Sequence, residues 1–147
     1  MFNKLAKNER GSVAIETAFI VPILATMVLG SLEVSNIVSR QTELQTIASE
    51  AATIVIARPP EESNDRTALE GIIEDAAGLG ADQVSLDVRF RCDTSDALLA
   101  DASTCGTGSV VSEFIIIEMK DSYSPAWTQF GVGRDVTYSV TRRVQVS

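Results

Sequence analysis

At 147 residues and a formal net charge of −8, the chain has room for one compact domain plus an anchor, and its acidic balance argues against nucleic-acid binding. Hydrophobic residues make up 45% and charged residues 22%, the composition of an ordered chain and not of a disordered one. The chain has no histidine, which removes the commonest general base, the commonest zinc ligand and any Ser/His or Cys/His nucleophile pair.

Residues 1–11, MFNKLAKNERG, are short, polar and basic. Lys4, Lys7 and Arg10 against Glu9 give them a charge of +2, which leaves −10 for everything after Gly11. From Ser12 to Leu32 the chain reads SVAIETAFIVPILATMVLGSL, with Glu16 as its only charge. About twenty residues at 1.5 Å each cover roughly the 30 Å hydrocarbon core of a bilayer, so this segment is a predicted transmembrane helix. Basic flanks are retained in the cytoplasm, which puts the N-terminus there and the body beyond Leu32 on the far side. The competing reading is a secretory signal that is cut and lost, with the small residues around Val28 and Gly30 as its cleavage site. A carboxylate early in the apolar run, Pro22 inside it and continuation into a helical pattern favour the anchor.

A carboxylate at the centre of a membrane helix costs about 2.5–3.5 kcal/mol, and less near an interface. With Ser12 at the surface, Glu16 lies roughly 6 Å deep. It either snorkels or stays protonated, or it pairs with a positive charge from another subunit; composition leaves both open.

Past Leu32 the pattern becomes amphipathic. Val34, Ile37, Val38, Leu44, Ile47, Ala48, Ala51, Ile54 and Val55 recur at three- and four-residue spacings, separated by Ser35, Arg40, Glu43 and Glu50. One helix is predicted from Ser12 to Ala57, roughly 69 Å long, with residues 33–58 continuing the anchor. It ends at Arg58, because the residue before a proline is pushed out of helical geometry. Its stripe must cover the chain's own domain or a neighbouring helix.

A basic leader ending in Gly11, a carboxylate as the fifth residue after it and a long apolar run form the layout of prepilin-type substrates. The segment RGSVAIETAFIVPILATMVLGSLEVSNIVSRQTELQTIASEAATIVIAR resembles the TadE-like family, minor pseudopilins of tight-adherence (Flp-type) pilus systems. Gly11, Ala14, Glu16, Ala18, Pro22, Gly30, Glu33 and the Ala-rich helix ending at Arg58 carry the resemblance. Where the family often has an aromatic after the glutamate, this chain has Thr17, with Phe19 two places on. The resemblance implies cleavage between Gly11 and Ser12 by a prepilin peptidase. The new Ser12 amine would then meet the Glu16 carboxylate of a neighbouring subunit, since buried charges tolerate low dielectric only when paired. It also implies a bacterial inner-membrane location, with incorporation into a pilus as a further step. The implied partners are membrane lipid, the peptidase, other pilin-like subunits and inner-membrane pilus assembly proteins.

Residues 59–147 form the predicted extracytoplasmic domain. Glu61 to Asp65 reads as a polar linker, followed by a short helix in which Thr67 and Glu70 fit a capping box. Leu69, Ile72, Ile73, Ala76 and Ala77 would be its buried face and Gly78 or Gly80 its stop. Three strands follow. Val84, Leu86, Val88 and Phe90 alternate with Ser85, Asp87 and Arg89. Residues 110–119 contain Phe114, Ile115, Ile116 and Ile117 in succession, the pattern of a central strand buried on both faces. Val136, Tyr138, Val140, Arg142, Val144 and Val146 alternate again. Between the last two strands, the segment from Tyr123 through Pro125 to Trp127 reads as a packed loop and not a ligand platform. The fold class is α+β, an antiparallel sheet packed against helices.

Cys92 and Cys105 are the only cysteines. An even count in an exported body favours a disulfide over two free thiols or half of a metal site. Asp93, Asp96 and Asp101 lie in the loop between them, but their spacing is not that of a calcium-binding loop. No cofactor or metal is implied, and no motif pairs carboxylates for catalysis, so a non-enzymatic role is expected. Against the pilin-like reading stands an uncleaved single-pass membrane-anchored periplasmic binding module, which would be indifferent to changes at Gly11.

Overall fold

The computed structural model describes the backbone from Glu9 to Ser147 and the side chains from Val13 onward. The leader residues Lys4 and Lys7, and the side chains of Arg10 and Ser12, lie outside the described residues. The first helix, α1, runs Glu9–Ala57 with Pro22 inside it. It closes where Pro59 dictates: the Arg58 amide still donates to the Ile54 carbonyl at 2.9 Å, and no helical bond follows. The chain forms two compact units, one up to Val38 and one from Ser39 to Ser147, and α1 contributes to both.

Within the second unit α1 buries Leu44, Ala48, Ala51 and Val55, a row at spacings of four, three and four. The predicted stripe was wider. Ile47 is only half-buried, and Ile54 is exposed, as are Val34 and Val38 in the first unit. A helix lying on a sheet hides one sector of its surface. The row from Leu44 to Val55 occupies that sector, and Ile54, one residue out of phase, falls beyond it.

The second helix, α2, spans Ser63–Ala77. It starts before the predicted Thr67, and the capping box does not form. Glu62 stands at the N-cap without a side-chain bond, and Thr67 donates its hydroxyl to the Ser63 carbonyl at 3.1 Å. The Glu70 carboxylate instead accepts the Leu86 amide at 2.7 Å, which ties α2 to the first strand. Leu69, Ile73 and Ala77 are buried, whereas Ile72 and Ala76 are not. Gly78 ends the helix as expected. At φ 60° it adopts the left-handed conformation, its amide reaches Asp75, and the Leu79 amide reaches the Glu74 carbonyl at 2.8 Å.

The strands β1 (Val84–Cys92), β2 (Val111–Tyr123) and β3 (Val136–Gln145) form one antiparallel sheet in the order β1-β2-β3. Register places Val84, Met119 and Val140 in one row, and Val88, Ile115 and Val144 in another. Leu86 and Ile117 lie between these rows on the same face, and Ile117 and Met119 are fully buried. β2 is central, as its apolar run implies, but it is not buried on both faces. Phe114 and Ile116, on the opposite face, are only half-buried. Both helices supply their apolar rows to one side of the sheet, and among the described residues no helix covers the other. There the Arg91 guanidinium lies over the Phe114 ring, 5.0 Å from its centroid.

Candidate functional site

In the first unit α1 is an apolar helix on which, among the large apolar side chains described, Ile37 alone is half-buried. The others are exposed, from 44% for Ile20 to 71% for Phe19, and the helix is long and apolar enough to cross a membrane. Three of its hydroxyls bond to the helix's own carbonyls. Thr17 donates to the Val13 carbonyl at 2.7 Å, and Thr26 and Ser31 donate to Ile23 and Val28, each at 2.8 Å. That is what hydrocarbon demands of a polar side chain. Gly11 and Ser12 sit in the backbone of this helix. Glu16 lies one turn further on, exposed and without an ion-pair partner among the described residues. The candidate processing and pairing positions are thus adjacent on one helix, and among the described residues no cationic side chain pairs with the carboxylate.

The second unit begins at an ion cluster. Arg40 donates from Nε to Asp121 Oδ2 at 2.7 Å and from Nη1 to Glu43 Oε2 at 2.9 Å. Partial burial works against the Arg40 charge, but the hydrogen bonds to Asp121 and Glu43 outweigh it and raise its pKa. Tyr138 faces Asp121 across the β2–β3 ladder. Burial, and then the Asp121 charge, push its hydroxyl pKa up against the opposing effect of Arg40. This cluster was legible but went unread. Arg40 falls one turn before Leu44 on the buried row of α1, and Asp121 continues the inward alternation of Ile117 and Met119. Two opposite charges on two inward faces signal a pair.

Cys92 and Cys105 are bonded, with Cα atoms 5.6 Å apart. The loop they close is held in three further places. Phe90 and Leu99 exchange amide–carbonyl bonds of 2.8 and 2.7 Å, which adds a short pairing to the outer edge of β1. Asp93 donates its amide to the Val110 carbonyl at 2.7 Å and accepts the Val110 amide on Oδ1 at 2.9 Å. Asp101 accepts the Ser103 amide at 2.8 Å and so caps a short 3-10 turn, Ala102–Thr104. Asp93 and Asp101 therefore organise the loop's backbone, and among the described residues no group of His, Cys, Asp or Glu side chains gathers to hold a metal.

The Val110 amide and then the Ser109 hydroxyl lower the Asp93 pKa, and the Ser103 amide and hydroxyl lower that of Asp101. A depressed carboxylate stabilises the folded loop above its unfolded pKa, and that contribution disappears as pH falls through the folded value. The Val110 and Ser103 amide resonances should therefore titrate with midpoints below the ordinary aspartate range. Asn at either position should abolish its own transition.

The geometry defines a class: an α+β protein whose long first helix is fit for lipid along one part and packed on its own sheet along another. Residues 11–53 match the model of the family described as TadE-like protein. The match is confined to this segment, which lies within the first helix. No curated protein and no solved structure matches the chain.

Proposed function

We propose that this chain is a minor pseudopilin of a tight-adherence (Flp-type) pilus assembly and secretion system. It is a single-pass protein of the bacterial inner membrane, with a cytoplasmic N-terminus and residues 59–147 as a periplasmic domain. Its work is assembly and not catalysis. Prepilin peptidase removes residues 1–11, and Ser12 becomes the new N-terminus. The exposed apolar helix then packs against other pilin-like subunits and inner-membrane assembly proteins, with Glu16 receiving a neighbour's terminal amine. The observation that supports this most is the coincidence of the family match over residues 11–53 with an exposed apolar helix bearing a carboxylate that has no ion-pair partner among the described residues.

The test is the intact mass of the membrane-extracted protein from cells with and without the prepilin peptidase. Loss of residues 1–11 only when the enzyme is present is expected. A full-length chain in both samples would instead indicate an uncleaved anchored binding module, and a chain starting near Ser31 a secretory signal. In the same cells, Glu16→Ala should leave processing unchanged but deplete the subunit from the assembled machine. Undiminished incorporation would remove the charge-pairing role.

A further inference from the structure

The connection from β2 to β3 carries a built apolar tip that the assembly reading does not use. A 3-10 turn, Ala126–Phe130, follows the buried Pro125. The Thr128 amide donates to the Pro125 carbonyl at 3.0 Å, the Gly131 amide to Thr128 at 3.0 Å and the Val132 amide to Trp127 at 3.2 Å. Gly131 and Gly133 both have positive φ, 73° and 79°. The Trp127 indole fills the space over Gly133, where a Cβ would meet Nε1 at 2.9 Å. This scaffold leaves Phe130 and Val132 outside it, 83% and 62% exposed. A large apolar side chain left in water forgoes the free energy that burial would give, so a loop ordered in this way suits a surface that covers it.

Position identifies that surface. The unit starts at Ser39, and the next residue, Arg40, is bonded to Asp121 near the end of β2. The chain therefore enters this unit, and β2 leaves the core, at the same end. The apolar run ends at Leu32, and even a fully extended chain bridges the seven residues to Ser39 in about 25 Å. From Asp121 the strand advances roughly 3.3 Å per residue to Tyr123 before the loop begins. A loop on such a tether lies within reach of the bilayer that the first helix enters. From Ser124 to Gly133 it holds no charge; Arg134 and Asp135 follow, both exposed, and Asp135 accepts the Ser124 hydroxyl at 2.7 Å. An uncharged tip carrying aromatic side chains is what the membrane interface accepts.

We infer that the tip of the β2–β3 loop, Phe130 and Val132 beside Trp127, inserts into the interfacial layer of the same membrane. It would be a second, shallow contact that fixes the periplasmic domain against the lipid surface. This rests on the membrane-spanning reading of α1.

Trp127 is the chain's single tryptophan, so its emission reports this loop directly. The full chain is reconstituted into phosphatidylcholine–phosphatidylglycerol vesicles with and without acyl-brominated lipid. The expected result is a blue-shifted emission that shallow bromine quenches. A Phe130→Ser/Val132→Ser variant should lose both effects while keeping its far-UV spectrum and its resistance to alkaline extraction. Emission indifferent to bromine in a chain that resists extraction would overturn this inference and leave the anchor standing. A shift that follows the protein-to-lipid ratio and ignores bromine would overturn it in favour of a second copy covering the tip. Full release by alkali would overturn both the inference and the spanning reading.

Discussion

Ile117→Ala is expected to destabilise the second unit by about 2–5 kcal/mol, while Ile116→Ala costs much less. Ile117 is 0% exposed at the middle of the central strand, beside Leu86 in the register. Truncating it removes transfer free energy and opens a void that the rigid sheet cannot collapse around. Its neighbour Ile116 looks out of the open face, half-buried, where water already reaches part of the side chain. A small domain has about 5–15 kcal/mol of stability in all, so the inward change removes a large fraction of it. Urea titration of both variants, in the detergent-solubilised full chain, measures the difference. Equal costs would mean that both faces are covered, as in a strand between two layers.

Removing the disulfide is the second large effect. Cys92 and Cys105 are 13 residues apart, and closing a loop of that length restricts the unfolded chain by about 3 kcal/mol. The Cys92→Ser/Cys105→Ser variant should melt about 12 °C lower, at roughly 4 °C per kcal/mol. The Phe90–Leu99 pairing and the Asp93–Val110 bonds do not replace the bridge, because they exist only once the hairpin is folded. Thiol reductant added to the wild-type protein should reproduce the shift and leave the variant unmoved. A variant with wild-type melting would show that the unfolded chain is not restricted by this link.

Much of the fold was legible because local rules wrote it. The end of α1 at Pro59, the stop of α2 at Gly78 and the three strands each rest on a few neighbouring residues whose backbone preferences no distant contact needed to override. The misreadings share a different cause. Thr67 and Glu70 have the spacing of a capping box, but Glu70 found the Leu86 amide sixteen residues away, and α2 began at Ser63. Phe114 to Ile117 has the run of a doubly covered strand, yet only one face was covered. Ile54 and Ile72 fit the periodicity of their helices but lie outside the buried sector. Of the candidate site, Gly11, Ser12, Glu16 and the two cysteines could be picked out by residue type and spacing. The Arg40–Asp121 pair needed two distant segments to be read together.

The amino-acid order alone determined the apolar first helix, its lone carboxylate, the breaks between elements and the class of the fold, because each depends on side-chain period or backbone restriction within a few residues. Tertiary structure decided which face of β2 faces the core, which row of α1 is hidden, what Glu70 and Arg40 bond, and that Phe130 stands out in solvent. Those outcomes depend on which surfaces meet across the chain, and burial belongs to the pair of surfaces and not to either one.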